Sequence, residues 1–242
     1  MRIFWRWLLL LAVAVVGLQM YFVGRIVVMV VADPQSSAFE RSEAWRLLNQ
    51  PDKPFVWRQQ WVAYAEISDN LKRAVIASED GDFIYHDGVE WDAIERAWKK
   101  NAIAEQRASK RNTQSKSKAP KIIGGSTITQ QLAKNIFLSG ERNLVRKAQE
   151  FILTIALELI LPKERILEIY LNSVEWGEGV FGAEAAAQRY FGKPAARLSA
   201  YEAAKLAVML PRPKFFEKNP QSAYVSGRAQ TIMARMGDAE LP

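Results

Sequence analysis

"NLVRKAQEFILTIALELI", Asn143 to Ile160, is the strongest amphipathic run in the chain. Its apolar residues recur at three- and four-residue intervals, which is the period of a helix with one buried face. Arg146 and Glu150 fall four apart on that helix, a spacing that makes them neighbours, with Lys147 beside them. The same period extends to either side. Ser68 can cap "SDNLKRAVIASED", where Leu71, Val75 and Ser78 share a face, and "WDAIERAWKKNAI" spaces Trp91, Ile94 and Trp98 helically. Pro162 suits the first turn of "PKERILEIYLN", and Ser199 with Glu202 forms a capping box before "EAAKLAVML". Alternating strand patterns are scarce. The expected fold is mainly α.

The N-terminus differs. From Trp7 to Ala32 nearly every residue is apolar, long enough for a bilayer core of about 30 Å. A cleavable signal is the rival reading, but its apolar core would be only about 7–15 residues. Residues 1–6 read as a cytoplasmic tail, 7–32 as a transmembrane anchor, 33–60 as a membrane-proximal connector and 61–242 as the main domain. Arg2 and Arg6 precede the span and no basic cluster follows it, so the domain is expected outside the cytoplasm, on the periplasmic side of a bacterial inner membrane. Arg25 lies where it can snorkel at the outer surface.

Composition excludes several chemistries. No cysteine is present, which removes disulfides, thiolate metal sites and a cysteine nucleophile, and a single histidine removes a multi-histidine metal site. Beyond the span, 30 Lys and Arg face 26 Asp and Glu, a modest excess suited to an anionic substrate or membrane surface. No nucleic-acid recognition motif accompanies it. Glu105 to Lys121 carries six positive charges and no large apolar residue, so it reads as a solvated loop or as one that touches anionic headgroups.

Two stretches concentrate polar chemistry. "GGSTITQQLAKN", Gly124 to Asn135, turns sharply into a helix, and free N–H groups at such an N-terminus suit an anion. It is not a P-loop, because Lys134 stands two turns from the glycines. "SEDGDFIYHDG", Ser78 to Gly88, packs Glu79, Asp80, Asp82 and Asp87 around aromatic residues and His86. It fails as a calcium loop, since Ile84 and Tyr85 take the ligand and glycine positions. As the edge of an active site it makes sense: a carboxylate against aromatic surface gains proton affinity and becomes a general base near neutral pH. Ser115-x-x-Lys118 and Ser68-Asp69-Asn70 match serine-transpeptidase motifs only by chance, being in reversed order with no Lys-Thr-Gly after them.

Taken together, Glu79-Asp80-x-x-Phe83-x-x-His86-x-Gly88, then Gly124 to Asn135, then Arg146-Lys147-x-x-Glu150 resemble the first three motifs, in order, of the peptidoglycan glycosyltransferases. "ERILEIYLN" and "GVFGAEAAAQRYFGK" resemble the fourth and fifth, and the likeness runs from about Asn70 to Met236 with no transpeptidase domain. The insertion Glu105 to Lys121 is longer and more basic than the usual link. The resemblance implies a helical, lysozyme-like fold with a smaller mobile jaw near the membrane. It implies polymerisation of lipid II on a growing polyprenyl-diphosphate glycan through a new β-1,4 link, with inversion at the anomeric carbon. Glu79 matches the catalytic glutamate, as base, and Glu150 the second important glutamate. Lys134, Arg146 and Lys147 would supply charge to the diphosphate. Ser126, Thr129, Gln130 and Asn135 would bind sugar or phosphate, and Phe83 and His86 would shape the jaw, His86 as a structural hydrogen-bonding residue. No cofactor is certain; Asp80 or Asp82 are the candidates for holding a divalent cation such as Mg or Mn. Membrane lipids and other wall-synthesis proteins are the expected partners. A glycan-cleaving enzyme of similar fold and a noncatalytic scaffold are the alternatives.

Overall fold

In the computed structural model, residues 2–51, 54–91, 95, 99, 102–103, 125–138, 140 and 143–242 are described. Gly124, Ile94, Trp98 and the basic insertion lie outside them. The fold is mainly helical. Helix α1 (Arg2–Val28) is long and apolar enough to cross a membrane, and at 1.5 Å per residue it extends about 40 Å. Its last turn is not free: Ile26 and Met29 are buried in the core, and Arg25 lies over the Phe137 ring. Gln19 exchanges two amide hydrogen bonds with Gln149, at 2.8 and 2.9 Å, which satisfies the one amide interrupting the apolar run.

The segment read as a connector holds its own helix, α2 (Ala38–Leu48), opened by a capping box between Ser37 and Glu40. Next come β1 (Arg58–Gln59) and α3 (Asp69–Glu79), capped by Ser68 as expected. Helix α4 (Ile128–Phe137) starts at Thr127, whose side chain accepts from Gln130 N while Gln130 returns the bond. Helix α5 (Leu144–Ile160) is the amphipathic run; its Leu153 and Leu157 enter the core, while Ile152, Ile155 and Leu159 stay exposed. Helix α6 (Lys163–Ser173) takes Pro162 as its N-cap. Strands β2 (Glu175–Gly177) and β3 (Val180–Phe181) follow, then α7 (Ala183–Phe191), α8 (Ala200–Met209), α9 (Pro213–Phe216) and α10 (Ala223–Met233).

Helix α4 packs on α2, α5 and α6, whereas α8 packs on α3 and α10. The short sheet runs β1-β3-β2, parallel between β1 and β3 and antiparallel between β3 and β2. At Gly179, φ is +70° and a Cβ would stand 2.1 Å from Val56 O, so only glycine lets β1 approach this turn. The sheet brings the connector against the domain, and α2 becomes a wall of the cleft described next.

Candidate active site

Glu79 ends α3, and Asp80 is that helix's C-cap, its N–H bonding Ile76 O. The N-terminus of α4 comes to meet them. Asp80 Oδ2 accepts from Ile128 N at 2.9 Å, and Asp80 Oδ1 meets His86 Nε2 at 2.8 Å. The anion expected at this helix N-terminus is therefore the protein's own carboxylate. Gly88 N donates to His86 Nδ1 at 3.0 Å, so Nδ1 carries a lone pair and Nε2 carries the proton given to Asp80.

The loop from Asp80 to Gly88 is fastened at three more points. Thr127 Oγ1 donates to Gly88 O at 2.6 Å, and Lys163 Nζ donates to His86 O at 2.6 Å. The same ammonium lies 4.6 Å from the centre of the buried Phe83 ring. A Cβ on Gly88, whose φ is +81°, would stand 2.7 Å from both Glu158 Cγ and Thr154 Cγ2, so α5 and the loop touch with no room for a side chain.

Two expected substrate contacts face inward instead. Thr129 is fully buried and donates to Glu158 Oε1 at 2.5 Å; Gln130 is buried in the capping box. Gln130 is occupied in capping α4, where a helix start enclosed by the loop satisfies its N–H groups internally, and Thr129 ties α4 to α5. Ser126 is exposed at the turn into α4.

Glu79 itself is partly buried at the end of α3. Gln131 Nε2 donates to its Oε2 at 3.0 Å, and Ser78 Oγ reaches its Oε1 at 3.4 Å. Burial raises the Glu79 pKa above the ordinary glutamate value; the bonds from Gln131 and Ser78 and the charge of Lys134 oppose that rise, and Asp80 adds to it. Tyr170, fully buried, donates to Gln131 Oε1 at 3.1 Å.

Gln131 also borders a cleft of about 340 Å³ whose lining includes Lys134, Asn135, Arg146, Glu175 and Phe39. Glu150 is buried on α5, accepting from Arg146 Nη1 at 2.9 Å and from Lys147 Nζ. Arg146 lines the cleft, and its Nε is sealed from solvent without a hydrogen-bond partner. A cavity of about 420 Å³ elsewhere, lined by Leu47, Arg58, Glu178 and Arg189, contains none of the residues of the first three motifs. Size does not mark the site; chemistry does.

As a cation site the acidic loop fits poorly. Both Asp80 oxygens are engaged and Asp82 is exposed, and among the described residues no three His, Asp or Glu side chains converge.

A family model described as transglycosylase matches residues 50–237. The chain belongs to the transglycosylase family. This family domain, helical and lysozyme-like, takes in Glu79, the whole of α4 and the Arg146–Glu150 cluster. Among similar proteins, the biosynthetic peptidoglycan transglycosylase of Burkholderia thailandensis is 56% identical over 225 residues, 93% of this chain and 82% of that one. The protein of the same name from Paraburkholderia phytofirmans is 49% identical over 242 residues, 98% and 94% of the two chains. That from Herminiimonas arsenicoxydans is 49% identical over 237 residues, 98% and 96%. Within this transglycosylase domain the sequence motifs missed Gln131's contact with Glu79, the Glu158–Lys163 pair at 2.9 Å and Glu175; α2, which brings Phe39, lies before the family match.

Proposed function

We propose that the protein polymerises lipid II into peptidoglycan strands, with Glu79 as general base. The observation that carries this is the pairing of a carboxylate raised in pKa with a cleft lined by Lys134 and Arg146, joined by Gln131, which bonds Glu79 and borders that cleft. A sugar hydroxyl is a weak nucleophile, so a base with raised proton affinity takes up its proton as the bond to the anomeric carbon forms. Diphosphate is already a good leaving group and needs positive charge and N–H donors more than a proton. Lys134 and Arg146, both on the cleft lining, supply them. The C4 hydroxyl of N-acetylglucosamine displaces the diphosphate from the opposite face, giving an inverted, β-1,4 link. Glu150 holds Arg146 and Lys147 in place for the diphosphate.

Placement at a membrane supports the same reading. Helix α1 is compatible with a single-pass anchor and docks on α5, where Ile152, Ile155 and Leu159 are exposed. A lipid-linked substrate is then drawn from the bilayer, with the domain on its outer, periplasmic side. The names of the relatives point to peptidoglycan as the polymer. Incubation of the full chain in detergent with lipid II, and separately with finished wall polymer, tests this. Long glycan and released polyprenyl diphosphate from the first are expected; cleavage of the second with lipid II left intact would favour a lytic enzyme.

A further inference from the structure

One charged wall of the cleft belongs to none of the three motifs. Glu175 opens β2, is 6% exposed, and lines the same cavity as Gln131, Lys134 and Arg146. Its Oε1 is sealed from solvent without a hydrogen-bond partner. Lys214 Nζ lies 3.3 Å from that oxygen but donates to Glu43 Oε2 at 2.5 Å, and Arg46 Nε bonds the same Glu43 oxygen at 2.8 Å. The groups facing Glu175 are thus Lys214 of α9, and Glu43 and Arg46 of α2. Burial and the charge of Glu43 push its pKa up to about 7, against the pull of Lys214 and Arg46. Near neutral pH such a carboxyl both donates and accepts hydrogen bonds.

Its position narrows what it can meet. Diphosphate is repelled by a carboxylate and attracted by Lys134 and Arg146 on the same lining. The part of the substrate that suits Glu175 is neutral and rich in hydroxyl and amide groups, which describes an N-acetylated sugar. We propose that Glu175 is a sugar-binding residue of the cleft, hydrogen-bonding a hydroxyl or acetamido N–H of the unit held beside Lys134 and Arg146. This rests on the glycosyl-transfer reading. The clasp of Lys214 and Glu43 fixes the side chain beforehand, so little ordering remains when sugar arrives.

Steady-state polymerisation of lipid II by the full-length protein, with Glu175→Ala and Glu175→Gln beside the wild type, tests it. Glu175→Ala is expected to raise KM roughly tenfold while changing kcat much less. Glu175→Gln keeps a donor and an acceptor but does not titrate, so it should hold KM within about threefold and abolish the change of wild-type KM across neutral pH. Unchanged KM in Glu175→Ala, with any loss confined to kcat and the unfolding temperature, would overturn the proposal in favour of a structural role. A wild type that does not polymerise lipid II would remove the underlying reading, and this inference with it.

Discussion

Gln131 Nε2 donates to Glu79 Oε2 at 3.0 Å while Gln131 Oε1 accepts from the Tyr170 hydroxyl at 3.1 Å, so one amide is fixed from both ends. The bond to Glu79 favours its charged form. Gln131→Ala should let the Glu79 pKa rise further, moving the acid limb of kcat/KM to higher pH and lowering activity at neutral pH roughly tenfold. It also orphans the buried Tyr170 hydroxyl, at a cost of about 1–3 kcal/mol. A pH–rate profile and a thermal melt measure the two effects separately.

Glu79 opposes the fold it serves. Its folded-state pKa is raised, chiefly by burial, so its stabilising contribution is present below the unfolded-state pKa and is lost as pH rises through the folded value. Glu79→Gln removes that loss. Its unfolding temperature should exceed the wild type's near pH 7, and the gap should close towards about pH 4. A gap that does not depend on pH would contradict the assignment of the raised pKa to this group.

Asp80 joins three pieces of chain: the end of α3, the His86 loop and the start of α4. Asp80→Ala leaves Ile128 N–H and His86 Nε2–H without their acceptor inside the protein. The expected loss is about 1–3 kcal/mol of stability, seen in denaturant unfolding. Because Glu79 precedes it directly, activity should fall even where the variant is fully folded.

Arg146 and Lys147 share Glu150, but their side chains are 16% and 49% exposed. Solvent screens the second far more than the first. Arg146→Ala should lower kcat/KM by about a hundredfold, and Lys147→Ala by roughly threefold or less. Arg146→Lys should rescue little, because a compact ammonium does not reproduce the planar guanidinium fork that bonds Glu150 while lining the cleft. Kinetics of the three variants with lipid II decide the order.

What the sequence conveyed was mostly local. The caps at Ser68 and Ser199 and the Arg146–Glu150 neighbours follow from spacing along one helix, and all appear in the structure. Residues that meet across helices were hidden. Gln131 reaches Glu79 over 52 positions, and no periodicity encodes that approach. Thr129 and Gln130 looked like ligand contacts because hydroxyls and amides at a helix start suit either role; enclosure by the Asp80–Gly88 loop turned them to capping and to Glu158. Strands of two or three residues are too short to show alternation, so β1 to β3 left no trace. Phe39 and Glu175 lie outside the motifs and gain meaning only where they line one cleft with Gln131 and Lys134 of α4.

The central claim is that Glu79 is the base of a lipid II polymerase. The most direct measurement is the initial rate of glycan formation from lipid II by full-length wild type and Glu79→Gln, with folding of both verified by thermal melts. Loss of at least about a hundredfold in the well-folded variant is predicted. A Glu79→Gln protein that polymerises at near the wild-type rate would contradict it.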